Sequence, residues 1–272
     1  QAVKGQYMTL RFLLGSTLLL GILYALLPVV TSPDLFSYIA YARIGVIYHL
    51  NPLTVLPTVI RSDPIYSYVA WIDQPSAYGP TWIIITCFLQ WLSLPFGVEH
   101  ILPMVIGLRL LGLMMHLCST GLVYSLSNSL QFRGGSINRA SEVMSVHAAS
   151  YKAMLAFAWN PLLLFEACTN AHNDTVLLFF ILLALWFLVR ATPRAFVIAA
   201  ILLAVATCLK ITLVVLVPGF LLFLWMQCRF SRLFTVAGVY FGAVVLLYAP
   251  FWQGGAVLRV FSVNPGASRN IN

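Results

Sequence analysis

Charged residues are scarce in this sequence, and acidic ones are the scarcest. Charged residues make up 8% of the 272 positions, and hydrophobic residues make up 61%, whereas an ordinary soluble domain is about 25% charged. A chain with so few charges cannot cover a globular surface with polar groups, so lipid must contact much of that surface. The composition therefore excludes a soluble protein and predicts an integral membrane protein.

Several motifs of common enzyme classes are also missing. The sequence has no HExxH, GxSxG or Walker phosphate-binding motif. Its five cysteines form no CxxC pair and lie mostly within apolar runs, so we interpret them as small apolar residues. Leu35 and Phe36 follow Asp34, so no DxD pair is present there, and we predict neither a metal nor a cofactor.

The net charge of +8 has a membrane explanation. Basic residues mark cytoplasmic loops and contact anionic lipid, which is therefore an expected partner. No basic patch interleaved with aromatic residues occurs, so we predict no nucleic-acid partner.

Long apolar runs are abundant. A helix needs roughly 20 apolar residues to cross a hydrocarbon core of about 30 Å, and we count seven or eight candidate helices, some too short to cross completely. The candidate runs are Phe12–Val30, Pro80–Phe96, Ile101–Leu126, Ala153–Phe165, Thr175–Val189, Ala195–Leu209, Ile211–Cys228 and Leu233–Trp252. Within the third run, Arg109 and His116 share one helical face and are interpreted as structural. The predicted fold class is all-α, a polytopic transmembrane helix bundle.

A long polar segment, residues 31–79, separates the first two apolar runs. It contains Asp34, Asp63 and Asp73, which are three of the seven acidic residues, together with several prolines and tyrosines. Its aromatic content is too high for a disordered linker, and Leu35–His49 has the apolar spacing of an amphipathic helix on the membrane surface. Because the basic N-terminus is predicted to be cytoplasmic, this segment is predicted to be a large folded external loop with amphipathic helices.

The same rule assigns sides to the remaining loops. Beyond residue 127 they alternate, in the order 127–150 (inside), 169–174 (outside), 190–194 (inside), 210 (outside), 229–232 (inside) and 253 onward (outside). An odd number of crossings is then required between Gly79 and Ser127, although two apolar runs lie there. Either Pro80–Phe96 is re-entrant, which we favour, or one basic loop breaks the rule.

Charged residues beside the membrane helices are the candidates for chemistry, because charge near lipid is costly and usually functional. Asp34 follows the first apolar run, and Glu166 and Asp174 flank a short turn. Both aspartates have an alternative interpretation as helix N-caps. Lys210 lies on the same predicted face, where a snorkelling side chain is the alternative.

Three strings carry a resemblance to a known family. They are "SPDLFSYIAYARIGVIYHLNPL" with "PIYSYVAWIDQPSAYGPTW", then "AWNPLLLFEACTNAHNDT", then "LKITLVVLVPGFLL". In this order they resemble the bacterial membrane glycosyltransferases of superfamily C, in particular polyprenyl-phosphate-mannose-dependent mannosyltransferases. The resemblance covers about Leu13 to Pro250. Since that family has further helices beyond this end, we expect residues 1–272 to be one transferase-like domain truncated at its C-terminus. Gly79 stands where relatives often carry a second proline, which leaves the subfamily open.

This resemblance implies a hexosyltransferase. It would move a hexose, mannose in the first instance, from a polyprenyl phosphate to a glycan or lipid acceptor, with inversion of configuration. Transfer would occur on the outer face of the cytoplasmic membrane, towards the periplasm or exterior. The aspartate at the start of the external loop, Asp34 here, would be the general base. A membrane transporter or flippase of lipid-linked substrates is the alternative, although no internal repeat of the transporter kind is visible.

Binding roles follow from the same resemblance and from charge. The leaving phosphate needs cations or donors near the membrane face, and the candidates are Lys210, Arg43 and His172. The candidates for sugar binding are Tyr38, Trp71, Tyr78, Glu166, Asn173 and Asp174. For the aromatic residues, an interfacial belt is the alternative. We expect Asp34, Asp174 and Lys210 to converge in one cavity at the outer membrane surface.

Overall fold

The structure, a computed structural model, describes residues 10–29, 32–134, 140–227 and 230–257. This part of the chain is helical and contains no strand, which confirms the all-α fold class. The α-helices are α1 (Leu10–Ala25), α2 (Asp34–Val46), α3 (Pro80–Ser93), α4 (Leu102–Gly134), α5 (Ala140–Ala158), α6 (Pro161–Leu164), α7 (Asn173–Arg190), α8 (Pro193–Thr207), α9 (Leu216–Gln227) and α10 (Phe230–Tyr248). Short 3₁₀ helices occupy Pro57–Ile60, Tyr66–Tyr68, Leu94–Phe96, Ile211–Val215 and Ala249–Phe251, and a π-helix occupies Phe165–Thr169.

Apolar runs coincide with most of these helices. Within the described ranges, three helices are long and apolar enough to cross a membrane: Leu102–Gln131, Asn173–Arg190 and Arg232–Phe251. Four shorter apolar helices, of 10–17 residues, accompany them: Leu10–Ala25, Pro80–Phe96, Pro193–Thr207 and Ile211–Gln227. The apolar helices were therefore predictable, and several are too short to cross alone, as expected.

The chain forms two compact units. The first combines residues 1–32 with residues 108–199, and the second combines residues 33–107 with residues 200–272. Both α4 and α8 run through a boundary between the units. The single domain predicted for residues 1–272 stays a prediction.

In the first unit, α4 packs antiparallel to α1. Leu113 fills the space that Gly21 leaves open, and four residues earlier the Arg109 guanidinium donates to the carbonyl of Ala25 at the end of α1. Further along α4, Tyr124 packs in the cluster that contains Leu13, near the start of α1. The start of α4 therefore lies level with the end of α1.

The segment after α5 continues through the first unit as α6 and the π-helix. Asn160 caps α6, since its side-chain oxygen accepts from the backbone N–H of Leu162 and Leu163, and Pro161 occupies the first helical turn. The π-helix follows, and the Thr169 hydroxyl donates to the carbonyl of Tyr24. The Asn-Pro pair thus restarts a helix inside what the sequence shows as one apolar run.

Arg109 and His116 have the structural roles predicted for them. Both side chains are buried. Arg109 bonds the Ala25 carbonyl, and the ring nitrogen Nε2 of His116 lies 3.0 Å from the Ala158 carbonyl. These bonds join α4 to α1 and to the end of α5.

The second unit is built around α2, which packs mainly on α3. The helix predicted at Leu35–His49 is present, but residues 37–44 are all buried, so it is not an exposed surface helix. The reason is that α3 and the two 3₁₀ helices of the 31–79 segment cover it. Gly45 permits close packing, because an added Cβ would overlap the Cys87 sulfur on α3.

The length of α3 bears on the number of crossings between Gly79 and Ser127. Its 14 residues span about 21 Å, which is less than a hydrocarbon core of about 30 Å. The 33 residues of α4 exceed that thickness. One crossing by α4 alone would satisfy the odd number required, but the 16 residues of α1 are also shorter than the core, so length does not decide and the re-entrant run stays a prediction.

Candidate functional site

Asp34 is the first residue of α2. Pro33 occupies the N-cap position, so the structure does not assign the N-cap to Asp34. The side chain is half-buried and lines an open cavity of about 170 Å³. The other lining residues are Tyr41, Trp71, Gln74, Pro75, Ala77 and Tyr78. An accessible carboxylate beside aromatic rings and an amide is an arrangement that suits a neutral polyhydroxyl ligand.

Two tyrosines, Tyr41 and Tyr78, interact with the Asp34 carboxylate. The Tyr78 hydroxyl donates a hydrogen bond to Asp34. Burial raises the pKa of Tyr78 well above its ordinary value, and the negative charge of Asp34 raises it further. Burial and the same charge also raise the pKa of Tyr41. Both phenols therefore stay protonated at neutral pH and keep a hydroxyl hydrogen to donate.

Hydrogen bonds to backbone groups hold the loop that carries Tyr78 in place. The Ser76 N–H donates to the carbonyl of Pro52, and the Ser76 hydroxyl oxygen accepts from the Tyr78 N–H. Asn51 anchors the start of this region, because its amide nitrogen donates to the carbonyl of Phe251 at 2.8 Å. The Asn-Pro pair of the 31–79 segment thus supports the cavity wall from behind.

Two strings of the family resemblance meet next to Tyr78. The N–H of Gly79 donates to the Leu209 carbonyl, and the N–H of Thr81 donates to the Cys208 carbonyl, both at 3.1 Å. A Cβ on Gly79 would overlap the Cys208 carbonyl oxygen, so the close approach requires glycine. Lys210, half-buried, follows directly after this contact. The backbone therefore brings the Tyr-Gly-Pro and Leu-Lys strings together in the second unit.

Arg43 has a different role from the one predicted. Two of its nitrogens lie 2.8 and 2.9 Å from one carboxylate oxygen of Asp63, and the two side chains are only 2% and 1% exposed. The Tyr48 hydroxyl and the Ile65 N–H also donate to Asp63. A guanidinium sealed in this ion pair cannot reach a lipid phosphate without leaving a buried carboxylate behind. This placement argues against Arg43 as a phosphate ligand and assigns it to the folding of the 31–79 segment.

The remaining predicted residues lie in the first unit, at the turn between the π-helix and α7. His172 is the N-cap residue of α7, so the structure does not assign that position to Asp174. The ring nitrogen Nδ1 of His172 lies 3.0 Å from an Asp174 carboxylate oxygen. The Asn170 amide donates to Glu166 at 3.2 Å, and Asn173 is buried.

The backbone of this turn is unusual. Ala171 has a φ of 50°, and the preceding π-helix is a form that is frequent at functional sites. Asp34 and Lys210 belong to one unit and Asp174 to the other, so the predicted convergence of the three residues stays a prediction. The substrate-binding roles of Glu166, Asn173 and Asp174 also stay predictions.

Sequence reasoning missed part of the cavity. Tyr41 lies seven residues after Asp34, which places both on one face of α2, so the helical period could have identified it. Gln74, Pro75 and Ala77 lie in irregular backbone, where no periodicity predicts the direction of a side chain. Tyr38 was predicted to touch sugar, but it is 1% exposed and lies behind Tyr78.

A protein-family model matches most of the chain. Residues 19–227 match a family model described as alpha-(1→6)-mannopyranosyltransferase, N-terminal domain. No curated protein and no solved structure matches the chain. The matched range contains Asp34, the whole lining of its cavity, the turn that carries Asp174, and Lys210.

Proposed function

Because this chain belongs to the alpha-(1→6)-mannopyranosyltransferase family, we propose that it transfers mannose from a polyprenyl phosphate to a glycan or lipid acceptor, with Asp34 as the general base. The family is one of glycosyltransferases, and membership favours transfer over the transport or flipping of a lipid-linked substrate. The observation that carries the proposal is the half-buried carboxylate of Asp34 in a cavity lined by Tyr41, Trp71 and Tyr78.

The reaction that fits this carboxylate is a single displacement. Asp34 accepts the proton of the acceptor hydroxyl while that oxygen attacks the anomeric carbon of mannose. The bond between the anomeric carbon and the phosphate oxygen breaks, and polyprenyl phosphate leaves with the electron pair. Such a displacement inverts configuration, so an α-linked product requires a β-linked donor. General-base catalysis of this kind typically contributes about 10²–10⁴-fold.

The leaving phosphate requires a positive partner. With Arg43 sealed against Asp63, Lys210 is the main candidate. It follows the Cys208–Leu209 segment that hydrogen-bonds to Gly79 and Thr81, in the unit that contains Asp34. His172 remains a second candidate.

The proposed donor requires that transfer occurs at the membrane surface. A polyprenyl chain stays in the bilayer, so the sugar on its phosphate must be met at the membrane surface. The charge pattern of the loops favours the outer face of the cytoplasmic membrane for the 31–79 segment. We propose that Asp34 works there on an acceptor that is itself a glycan or a glycolipid.

The test is mannose transfer by the complete protein in membrane vesicles. Radiolabelled polyprenyl-phosphate mannose is the donor and an alkyl α-mannoside is the acceptor, with wild type, Asp34→Asn and Asp73→Asn compared at equal protein amount. Asp73 is an exposed aspartate of the same external segment and serves as the matched control. Transfer should fall at least about 100-fold in Asp34→Asn and stay unchanged in Asp73→Asn. Equal rates in wild type and Asp34→Asn would refute the base role.

A further inference from the structure

The Tyr78 hydroxyl takes part in two side-chain hydrogen bonds, one as the donor and one as the acceptor. Asp34 and Tyr78 line the same cavity, where the Tyr78 hydroxyl donates to the carboxylate, and the Tyr78 ring packs on Tyr38, whose hydroxyl is the second hydrogen-bond partner. The three residues therefore form a short chain that starts in the interior of the second unit and ends at the cavity. Tyr38 and Asp34 lie four residues apart on α2, which places them on the same helical face.

Tyr38 is fixed by its surroundings. Its ring packs edge-to-face on Tyr78, with ring centroids 4.8 Å apart, and on Trp82 of α3, with centroids 4.9 Å apart. Tyr38 and Trp82 are each 1% exposed, so neither can meet a ligand directly. Edge-to-face pairs of this kind stabilise one ring orientation. Tyr38 can therefore act on a ligand only indirectly, and Tyr78 is the neighbour that reaches the cavity.

From this geometry we propose that Tyr78 is a positioning residue that aims the Asp34 carboxylate at the acceptor hydroxyl, and that Tyr38 holds Tyr78 in place. The proposal rests on the base role of Asp34. It gives the two tyrosines a function other than stacking on sugar.

The physical need for such a contact is orientation. A general base must lie within hydrogen-bond reach of the proton that it removes, yet a carboxylate in the first turn of a helix can rotate about its side-chain bonds. A hydrogen bond to one carboxylate oxygen restricts that rotation and leaves the other oxygen for the acceptor. Tyr41 on α2 and Tyr78 on the loop are two ionisable neighbours of Asp34, and the hydrogen bond from Tyr78 gives the carboxylate a preferred direction.

The first test compares two Tyr→Phe variants by steady-state transfer. Tyr78→Phe removes the hydroxyl and keeps the ring. Tyr48→Phe is the matched control, because the Tyr48 hydroxyl also donates to a carboxylate, that of Asp63, 3.0 Å away in the sealed ion pair. We expect kcat to fall about tenfold in Tyr78→Phe with the acceptor KM unchanged, and the control to keep the kcat of wild type. A raised KM with an unchanged kcat would mean that Tyr78 only lines the cavity, which would overturn the proposal.

The pH profile gives a readout that mere packing would not move. A hydrogen bond donated to a carboxylate favours its charged form, so loss of the bond makes the carboxylate protonate at higher pH. The acidic limb of the kcat profile should therefore move upward by about one pH unit in Tyr78→Phe. An unmoved limb would contradict the hydrogen bond from Tyr78.

The second test needs no turnover. A water-soluble carbodiimide labels protonated carboxyl groups, and peptide mass spectrometry gives the extent of labelling at Asp34 as a function of pH. The pH of half-maximal labelling should rise by about one unit in Tyr78→Phe and not in Tyr48→Phe. Identical curves in all three proteins would overturn the proposal even if Asp34 proves essential for transfer. If the wild-type protein proves not to transfer mannose, the labelling experiment still tests the contact between Asp34 and Tyr78.

Discussion

A carboxylate lies beside each end of α2, and the two differ in their exposure. Near its C-terminal end, Arg43 and Asp63 form an ion pair whose side chains are 2% and 1% exposed. At its N-terminal end, Asp34 is half-buried and lines an open cavity. Both carboxylates accept a hydrogen bond from a tyrosine, Tyr48 in one case and Tyr78 in the other. The difference lies in access, because only the Asp34 carboxylate can be reached by a ligand.

We propose that this difference separates a structural aspartate from a catalytic one. A buried ion pair holds its segment of the chain only as a pair, and removal of one partner leaves an uncompensated charge. A carboxylate at the wall of a cavity can exchange its proton with a bound molecule and contributes little to packing. Substitutions at the two ends of α2 should therefore affect different properties of the protein.

The largest effect on stability is expected at the sealed end. Asp63→Asn leaves the Arg43 guanidinium buried against a neutral amide, and the destabilisation should be about 3–5 kcal/mol. Thermal unfolding of the detergent-solubilised protein, followed by tryptophan fluorescence, measures it. The double variant Arg43→Met/Asp63→Leu should recover much of the loss, since it removes both charges together. An unchanged unfolding temperature in Asp63→Asn would show that the ion pair does not hold the 31–79 segment.

A smaller effect is expected where the cavity wall meets the Leu-Lys string. Gly79→Ala places a methyl group against the Cys208 carbonyl oxygen and should destabilise the protein by about 1–3 kcal/mol. Transfer should fall as well, because Tyr78 precedes the displaced residue. The control is Gly238→Ala in α10, where an added Cβ meets no atom within 4 Å. If the two variants unfolded at the same temperature, the close approach at Gly79 would not be needed.

The smallest effect is expected at the rim of the cavity. Trp71 lines it, and loss of an aromatic contact surface should raise the KM for the acceptor several-fold while kcat stays within about twofold. The control is Trp91→Ala, whose side chain is 59% exposed on α3. Acceptor titrations at saturating donor measure both constants. Equal acceptor KM values in the two variants would remove Trp71 from the binding site.

The sequence predicts the helices well and the ion pair not at all. Apolar runs identify helices because a membrane segment needs continuous apolar length, and the run from Thr175 to Val189 matches α7 closely. The break at Asn160-Pro161 and the π-helix lie inside another apolar run, where composition does not change. The N-terminal half of α5 lies in a polar stretch, so no run marks its start.

In the site, residues on one helix could be predicted from the sequence, whereas contacts between distant residues could not. Asp34 was found from its position and from the family resemblance, and the helical period links it to Tyr38 and Tyr41. Arg43 was assigned to phosphate because an isolated arginine in sequence shows no partner. Its partner Asp63 lies 20 residues away and reaches it only through the folded loop. Spacing rules describe one helix and do not predict such contacts.

We propose that Asp34 serves chemistry and that Asp63 serves structure. The most direct measurement is mannose transfer and thermal unfolding on the same preparations of wild type, Asp34→Asn and Asp63→Asn. We expect Asp34→Asn to lose at least about 100-fold in transfer and to unfold at the wild-type temperature, whereas Asp63→Asn should unfold at a clearly lower temperature. The Asp63→Asn molecules still folded at low temperature should transfer mannose faster than Asp34→Asn. An Asp34→Asn protein that unfolds early, or that transfers mannose at the wild-type rate, would contradict this proposal.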